Sequence, residues 1–200
     1  MTNYYYSHDP NVEHDEKNWQ FELLGNNLLF TTDNGVFSKR TVDYGSRVLL
    51  KAVAPTLTDG SDILDLGCGY GPIGLALAAH FSDAHVDMVD VNNLALSLCK
   101  KNAQNNGLEN VSVWESDCYE EVSKQGYDAI ISNPPVRAGK KVVNEILTGA
   151  YDHLKDGGTM TVVLQKKQGA PSAKKKLKSV FGNCQVLQRD KGYFILQSVK

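Results

Sequence analysis

The chain has 200 residues, 42% of them hydrophobic and 22% charged, with a formal net charge of −2. That suits one sheet covered by helices on both faces and excludes a disordered or fibrous protein, or a catalytic domain joined to a full recognition domain. No apolar run approaches the ~18 residues of a membrane span, Met1–Trp19 lacks the basic and apolar stretches of a signal peptide, and Cys68, Cys99, Cys118 and Cys184 form no C-x-x-C pair that would suggest a zinc site or disulfide frame. The expectation is a cytoplasmic enzyme with reduced thiols, no metal and no membrane partner; a monomer is favoured, with the oligomeric state otherwise open.

Trp19–Leu24 and Asn27–Thr32 read as two short strands around Gly25-Asn26, followed by a turn at Asp33-Asn34-Gly35 and a helix over 42–54. This is too little for an independent domain, so residues 1–54 are expected to form a lobe packed on a core of residues 55–200, the whole folding as one unit. From Asp62 onward short apolar runs alternate with helical patterns, the signature of βαβ units. Strands are predicted at 62–66, 85–90, 110–114, 127–132 and 159–164, with helices at 72–81, 92–105, 140–154 and 171–181. A closing pair at 184–189 and 193–199 is joined by Arg189-Asp190-Lys191-Gly192, short enough for an antiparallel hairpin. The predicted fold is α/β and Rossmann-like: a seven-stranded, mostly parallel sheet with a C-terminal antiparallel hairpin and helices on both faces.

The small net charge hides an asymmetry. Residues 1–136 hold 8 Lys+Arg against 19 Asp+Glu, whereas residues 137–200 hold 13 against 4. A basic end of this kind suits a polyanionic partner; lysines that only solvate the last helices would look the same, and charge alone leaves both readings open.

The first βα turn is Gly67-Cys68-Gly69-Tyr70-Gly71, where glycines let a strand turn sharply and a ligand approach the backbone. Gly69, Gly71 and Gly74 also satisfy G-x-G-x-x-G, and Asp90 lies where a dinucleotide fold places its ribose acid. A pattern of glycines leaves NAD and S-adenosylmethionine (SAM) nearly tied. Asp65 favours SAM by charge: a carboxylate about 5 Å from a pyrophosphate would oppose binding by roughly 3 kcal/mol at an effective dielectric of ~20, whereas the ammonium and sulfonium of SAM would be helped. Asp90, with Val91 beside it, can accept from the ribose hydroxyls or cap the next helix. Asp117 can accept from the adenine amino group, with the Cys118 amide meeting the ring, or can itself be a cap.

The fourth core strand ends in Asn133-Pro134-Pro135-Val136. Prolines end strands, but that does not explain an Asn at the C-terminal edge of a central strand, where open α/β sheets bind ligands. An exocyclic amine on an aromatic base is a poor nucleophile because its lone pair is delocalised. The Asn133 side-chain oxygen and the Pro134 carbonyl can each accept one amine hydrogen and turn the lone pair toward a methyl donor, an arrangement that proline rigidity sets in advance.

Asp65–Gly71 (DLGCGYG), Asp90, Asp117 and Asn133–Pro135 together resemble the ordered motifs of class I SAM-dependent methyltransferases that modify amino groups of bases or glutamine amides. Gly35–Ser38 with Asn133–Lys140 (NPPVRAGK) resembles, more narrowly, the small-domain family related to bacterial 16S ribosomal RNA guanine-N2 methyltransferases; the likeness spans roughly residues 19–200. It implies SAM as cofactor and ribosomal RNA as partner, with Phe37 and Ser38 near the SAM tail or target base, and Pro135 and Val136 facing the substrate; Arg137 and Lys140 can meet phosphates at the mouth of the site, or be no more than an exposed, charged helix start. Many adenine-N6 and glutamine enzymes of this class carry an aromatic residue after the second proline. Val136 stands there instead, which disfavours those acceptors and a small-molecule amine remains a further rival. A SAM-fold module that binds RNA without catalysis would have no need of Asn133-Pro134.

Overall fold

A computed structural model describes residues 15–36, 38 and 40–200. The antiparallel hairpin β1 (Lys17–Leu23) and β2 (Asn26–Thr32) leads to α1 (Tyr44–Val53). The alternation then runs β3 (Asp62–Leu66), α2 (Pro72–His80), β4 (His85–Asp90), α3 (Asn93–Asn105), β5 (Val111–Glu115), β6 (Tyr127–Ser132), α4 (Lys140–His153), β7 (Leu154–Gln165), α5 (Ala170–Phe181), β8 (Gln185–Asp190) and β9 (Tyr193–Val199). The seven strands from β3 onward form one sheet in the order β5-β4-β3-β6-β7-β9-β8. β9 is antiparallel to both β7 and β8, and the other pairings are parallel. This is the Rossmann-like fold expected from the alternation.

Two boundaries differ from expectation for local reasons. α1 starts at Tyr44 because the Asp43 side chain caps it, accepting from the Ser46 N–H at 3.1 Å. β7 begins at Leu154 directly after α4, five residues before the predicted strand start at 159: Leu154 pairs with Tyr127, then the register shifts before Thr159 meets Ala129. Gly157 and Gly158 serve a bulge inside the strand, not a loop before it.

Period-2 alternation sends strand side chains to two apolar layers. Ile63, Ala129, Ile131, Val163 and Ile195 join the layer under α1, α2 and α3. Leu64, Leu66, Ile130, Met160 and Leu164 join the one under α4 and α5. α2 lies very close to β4, since a Cβ on Gly74 would meet the Met88 side chain at 2.6 Å. Leu23, Leu28 and Phe30 of the N-terminal hairpin belong to the first layer. The outer backbone of β2 is satisfied by asparagines in α3 and at its C-cap instead of a further strand. Asn102 accepts from the Thr31 N–H at 2.6 Å and donates to the Thr31 and Tyr70 carbonyls, while Asn106 brackets Leu29 in the same way. Leaving one such buried backbone group unpaired costs about 1–3 kcal/mol.

The chain runs from β3 through β4 to β5 on one side of the sheet, then returns to build β6, β7 and the final hairpin on the other. Strand order therefore reverses between β3 and β6, and their carboxyl ends open the crevice where such sheets bind ligands. The Ser132 hydroxyl donates to the Leu66 carbonyl at 2.7 Å and ties the two strand ends together.

Candidate functional site

A cavity of about 390 Å³ lies at this reversal point, walled by Gly67–Tyr70, Asp90–Asn92, Ser116–Cys118 and Asn133–Arg137. The glycine loop is braced inward. Gly67 and Cys68 N–H both donate to the Val89 carbonyl at 2.9 Å, Gly71 N–H donates to the Cys68 carbonyl, and Gly69 N–H donates to Asp90 Oδ2 at 2.9 Å. These amides are engaged within the protein, so they are not the outward-facing cradle a pyrophosphate needs. Gly67 and Gly69 lie at φ of 77° and 59°, and a Cβ at either would project into space empty of protein. That is a cradle for a ligand without phosphates.

Asp90 is half-buried, and desolvation pushes its pKa up against hydrogen bonds from backbone amides. Its other oxygen accepts from the Asn92 N–H at 2.9 Å. The helix cap is Asn92, whose side chain accepts from Leu94 and Ala95 N–H, so Asp90 is released from the capping role and held facing the cavity. Asp117 is exposed at the cavity wall and precedes a turn in place of a helix. Cys118 is buried at φ 51°, and Val91, Val142 and Ile146 add apolar wall beside it.

Asp65 is placed differently from its neighbours in the motif. Its carboxylate shares the β3 face of Ile63, is wholly buried under α2, and does not line the cavity. Oδ2 accepts from the Gly74 N–H at 2.8 Å, while Oδ1 has no partner. Burial pushes the pKa up to about 7, the Gly74 N–H opposes the rise and Asp90 adds to it. An unpartnered buried oxygen next to Asp90 gives this side of the loop a negative character that suits a positively charged ligand.

At the other end of the cavity Asn133 emerges half-buried from β6, and Pro134 is buried behind it. The Asn133 Nδ2 donates to Asp43 Oδ1 at 3.2 Å and to Ser46 Oγ at 3.0 Å. A carboxylate only accepts, so Asp43 determines which end of the amide is nitrogen. Among the described residues no donor reaches the Asn133 Oδ1 or the Pro134 carbonyl, and both are left to accept from a ligand. Gln165, Gln168 and Tyr193 complete this end, with Gln165 Nε2 donating to the Tyr193 hydroxyl at 2.7 Å.

Gly67, Cys68, Gly69, Asp90, Val91, Asp117, Cys118, Asn133, Pro134, Pro135, Val136 and Arg137 thus converge on one cavity. Ser38 and Lys140 do not line it: the Ser38 hydroxyl donates to the Thr41 carbonyl, and Lys140 is exposed at the start of α4. Phe37 lies outside the described residues. Asp43, Ser46, Gln165, Gln168 and Tyr193 were not foreseen. Asp43 carries a sequence signal only as a helix cap, and Gln165 and Tyr193 meet only once the β7–β9 register is known. Among the described residues no three His, Cys, Asp or Glu side chains are grouped to hold a metal, and no helix is long and apolar enough to cross a membrane.

A family model described as "Methyltransferase small domain" matches residues 27–197. YbxB of Bacillus subtilis, described as uncharacterized, is 46% identical over 201 residues, covering both chains end to end. The ribosomal RNA small subunit methyltransferase C of Hahella chejuensis is 41% identical over 142 residues, 69% of this chain and 40% of that one. Among solved structures, the T. thermophilus 16S rRNA N2 methyltransferase RsmC, in complex with AdoMet and guanosine, matches with a TM-score of 0.84 at 28% identity, over 92% of this chain and 50% of that one. The chain spans half or less of the length of these two ribosomal RNA methyltransferases.

Proposed function

Since the chain belongs to the methyltransferase small-domain family, we propose that it transfers the methyl group of SAM to an exocyclic amine of ribosomal RNA, guanine N2. The observation that carries this reading is the held amide of Asn133, whose nitrogen is engaged by Asp43 and Ser46 and whose oxygen faces the cavity that the glycine loop shares. Similarity to ribosomal RNA methyltransferases supports the substrate class, and the guanosine bound to T. thermophilus RsmC supports the base. Residues 1–54 and 55–200 act as one unit in this reading, the hairpin sharing the apolar layer under α1–α3.

SAM supplies an electrophilic methyl on a sulfonium when bound. Asp90 would hold its ribose, Gly67–Gly69 its methionine end, and Asp117 with the Cys118 amide its adenine. Asn133 Oδ1 and the Pro134 carbonyl accept the two hydrogens of the acceptor amine and aim its lone pair along the cavity. The methyl would pass from that sulfonium to the acceptor nitrogen, and the methylated amine would then release a proton to solvent. No strong base is needed, because that amine is acidic until the proton leaves. Pro135 and Val136 line the base side, and Arg137 is exposed at the mouth. The target base must leave its stack to enter.

Nucleoside mass mapping of ribosomal RNA from cells with and without the protein tests the proposal. One N2-methylguanosine that disappears with the protein is expected; an unchanged set of modified nucleosides would refute the RNA assignment.

A further inference from the structure

Next to the cavity, and sharing Gln165 with it, runs a second groove lined by Gln165, Lys166, Lys167, Pro171, Lys191 and Gly192. Its two banks are far apart in sequence, one the turn from β7 into α5 and the other the β8–β9 hairpin. β9 runs antiparallel to β7 and β8 antiparallel to β9, so the hairpin tip comes to the same carboxyl edge of the sheet as Asn133. The banks are joined by the Lys166 N–H donating to the Gly192 carbonyl at 2.8 Å and by the bond from Gln165 to the Tyr193 hydroxyl.

All three lysines are exposed, and among the described residues none has a carboxylate within ion-pair distance. The acid beside Lys191, Asp190, accepts from the Tyr44 hydroxyl at 2.7 Å. Lys191 is held at φ 43° with its ammonium 4.8 Å from the centre of the Tyr44 ring. Tyr44 directly follows Asp43, which orients Asn133, so the frame that holds the acceptor amide also positions this cation. Pro171 places the first turn of α5 in the groove, and no side chain caps that helix, leaving the positive end of its dipole open to an anion. Lys174, Lys175 and Lys176 line neither the groove nor the cavity. They sit further along α5 as it descends from the catalytic edge.

We propose that this groove grips the backbone phosphates flanking the acceptor nucleotide of a single-stranded RNA segment, with Lys166, Lys167 and Lys191 as the contacts. Compact ammonium groups suit phosphate as point charges, and a base drawn into the cavity brings its own backbone to the cavity rim. The inference rests on the RNA-methyltransferase reading for its choice of partner, and its test is read by binding so that the two can fail separately.

The test is a salt titration of the affinity for a labelled single-stranded RNA of about ten nucleotides, comparing wild type with the combined Lys166→Gln, Lys167→Gln, Lys191→Asn variant. Asn is chosen at 191 because it tolerates positive φ. Three lost single-strand contacts should flatten the log–log slope by about 2, which is about 100-fold weaker binding at 0.1 M salt if affinities converge near 1 M. SAM affinity should not change, and Lys→Arg at the three positions should restore RNA binding. Unchanged RNA affinity and slope would overturn the proposal, as would a slope lost only when Lys174, Lys175 and Lys176 are replaced by Ala. Weaker RNA binding in a protein that methylates no RNA would leave the groove standing and sink the proposed function. RNA methylation by the wild type with an unaltered slope in the variant would do the reverse.

Discussion

The two ends of the cavity are built in opposite ways. The cofactor end comes from three consecutive strand ends, and its hydrogen bonds join β3 to its neighbour β4 through Val89 and Asp90. The acceptor end draws Asn133 from β6, Asp43 and Ser46 from the start of α1, and Gln165 and Tyr193 from paired strands β7 and β9. One end is local backbone geometry around Asp65 and Asp90, whereas the other is a set of side-chain contacts, one of which joins residues 90 positions apart. Substitutions at the first should therefore act on stability and cofactor affinity, and those at the second on turnover.

The largest effect should come from Asp65. Its pKa is raised to about 7 by burial, with the Gly74 N–H opposing and Asp90 adding, against about 3.9 in an unfolded chain. Below about pH 4 the group is protonated in both states and its contribution is fully present. Between 4 and 7 the unfolded chain has released a proton that the folded one keeps, so stability falls as pH rises, by about 4 kcal/mol in all. Asp65→Asn keeps an acceptor for Gly74 and cannot ionise. Denaturant unfolding of ligand-free wild type and variant at pH 5 and 8 covers about two pH units of that window and should show their stability difference moving by about 2.7 kcal/mol in the variant's favour; a difference that stays constant with pH means that Asp65 is not buried as an acid. Saturating SAM, which brings positive charge, should offset part of the wild-type loss.

Asn133→Ala tests the other end. Removing one preorganised polar contact costs about 10²–10³ in rate. SAM affinity measured by calorimetry should hold while single-turnover methylation falls by that factor. Near-normal turnover would remove the amine-presenting role.

Asp90→Ala should show the opposite division. A charge-assisted hydrogen bond is worth about 1.5–3 kcal/mol, so SAM should bind roughly 10- to 150-fold more weakly. The observed loss should reach the upper part of that range, because Gly69 and Asn92 also lose the acceptor that shapes the loop. Unchanged SAM affinity in a folded variant would contradict the ribose assignment.

This contrast also explains what could be read without coordinates. Strand order, the closing hairpin and the glycine loop were legible because each depends on patterns within a few residues. Asn133 was legible because its neighbours are prolines at a strand end. Asp65 was read by the sign of its charge, although strand alternation with Ile63 already places it on the face under α2 and out of the cavity. Asp43 looks like any helix cap, and its second task depends on a residue 90 positions later. The β7 bulge hid behind Asp156-Gly157-Gly158, since glycines that permit a turn equally permit a register shift.

The smallest effect should come from Ser46, and it separates positioning from chemistry. The Asn133 amide nitrogen has two acceptors, Asp43 Oδ1 and Ser46 Oγ. Ser46→Ala removes one of them from a site that is only 2% exposed and leaves the Asp43 cap intact. The amide then keeps its sense through Asp43 but loses one of two restraints on its plane, a loss of about 1 kcal/mol on the scale of a single neutral hydrogen bond. The maximal rate should fall about five-fold, with the KM for SAM unchanged. Asp43→Asn is the matching conservative change, because a single carbonyl oxygen can accept from both Ser46 N–H and Asn133 as Oδ1 does now; its rate should stay near wild type. Asp43→Ala removes the cap and the orienting acceptor together and should lower both thermal stability and rate. If Ser46→Ala turns over normally while Asp43→Ala loses rate, Asp43 alone orients the amide, and the acceptor end depends on one restraint instead of two.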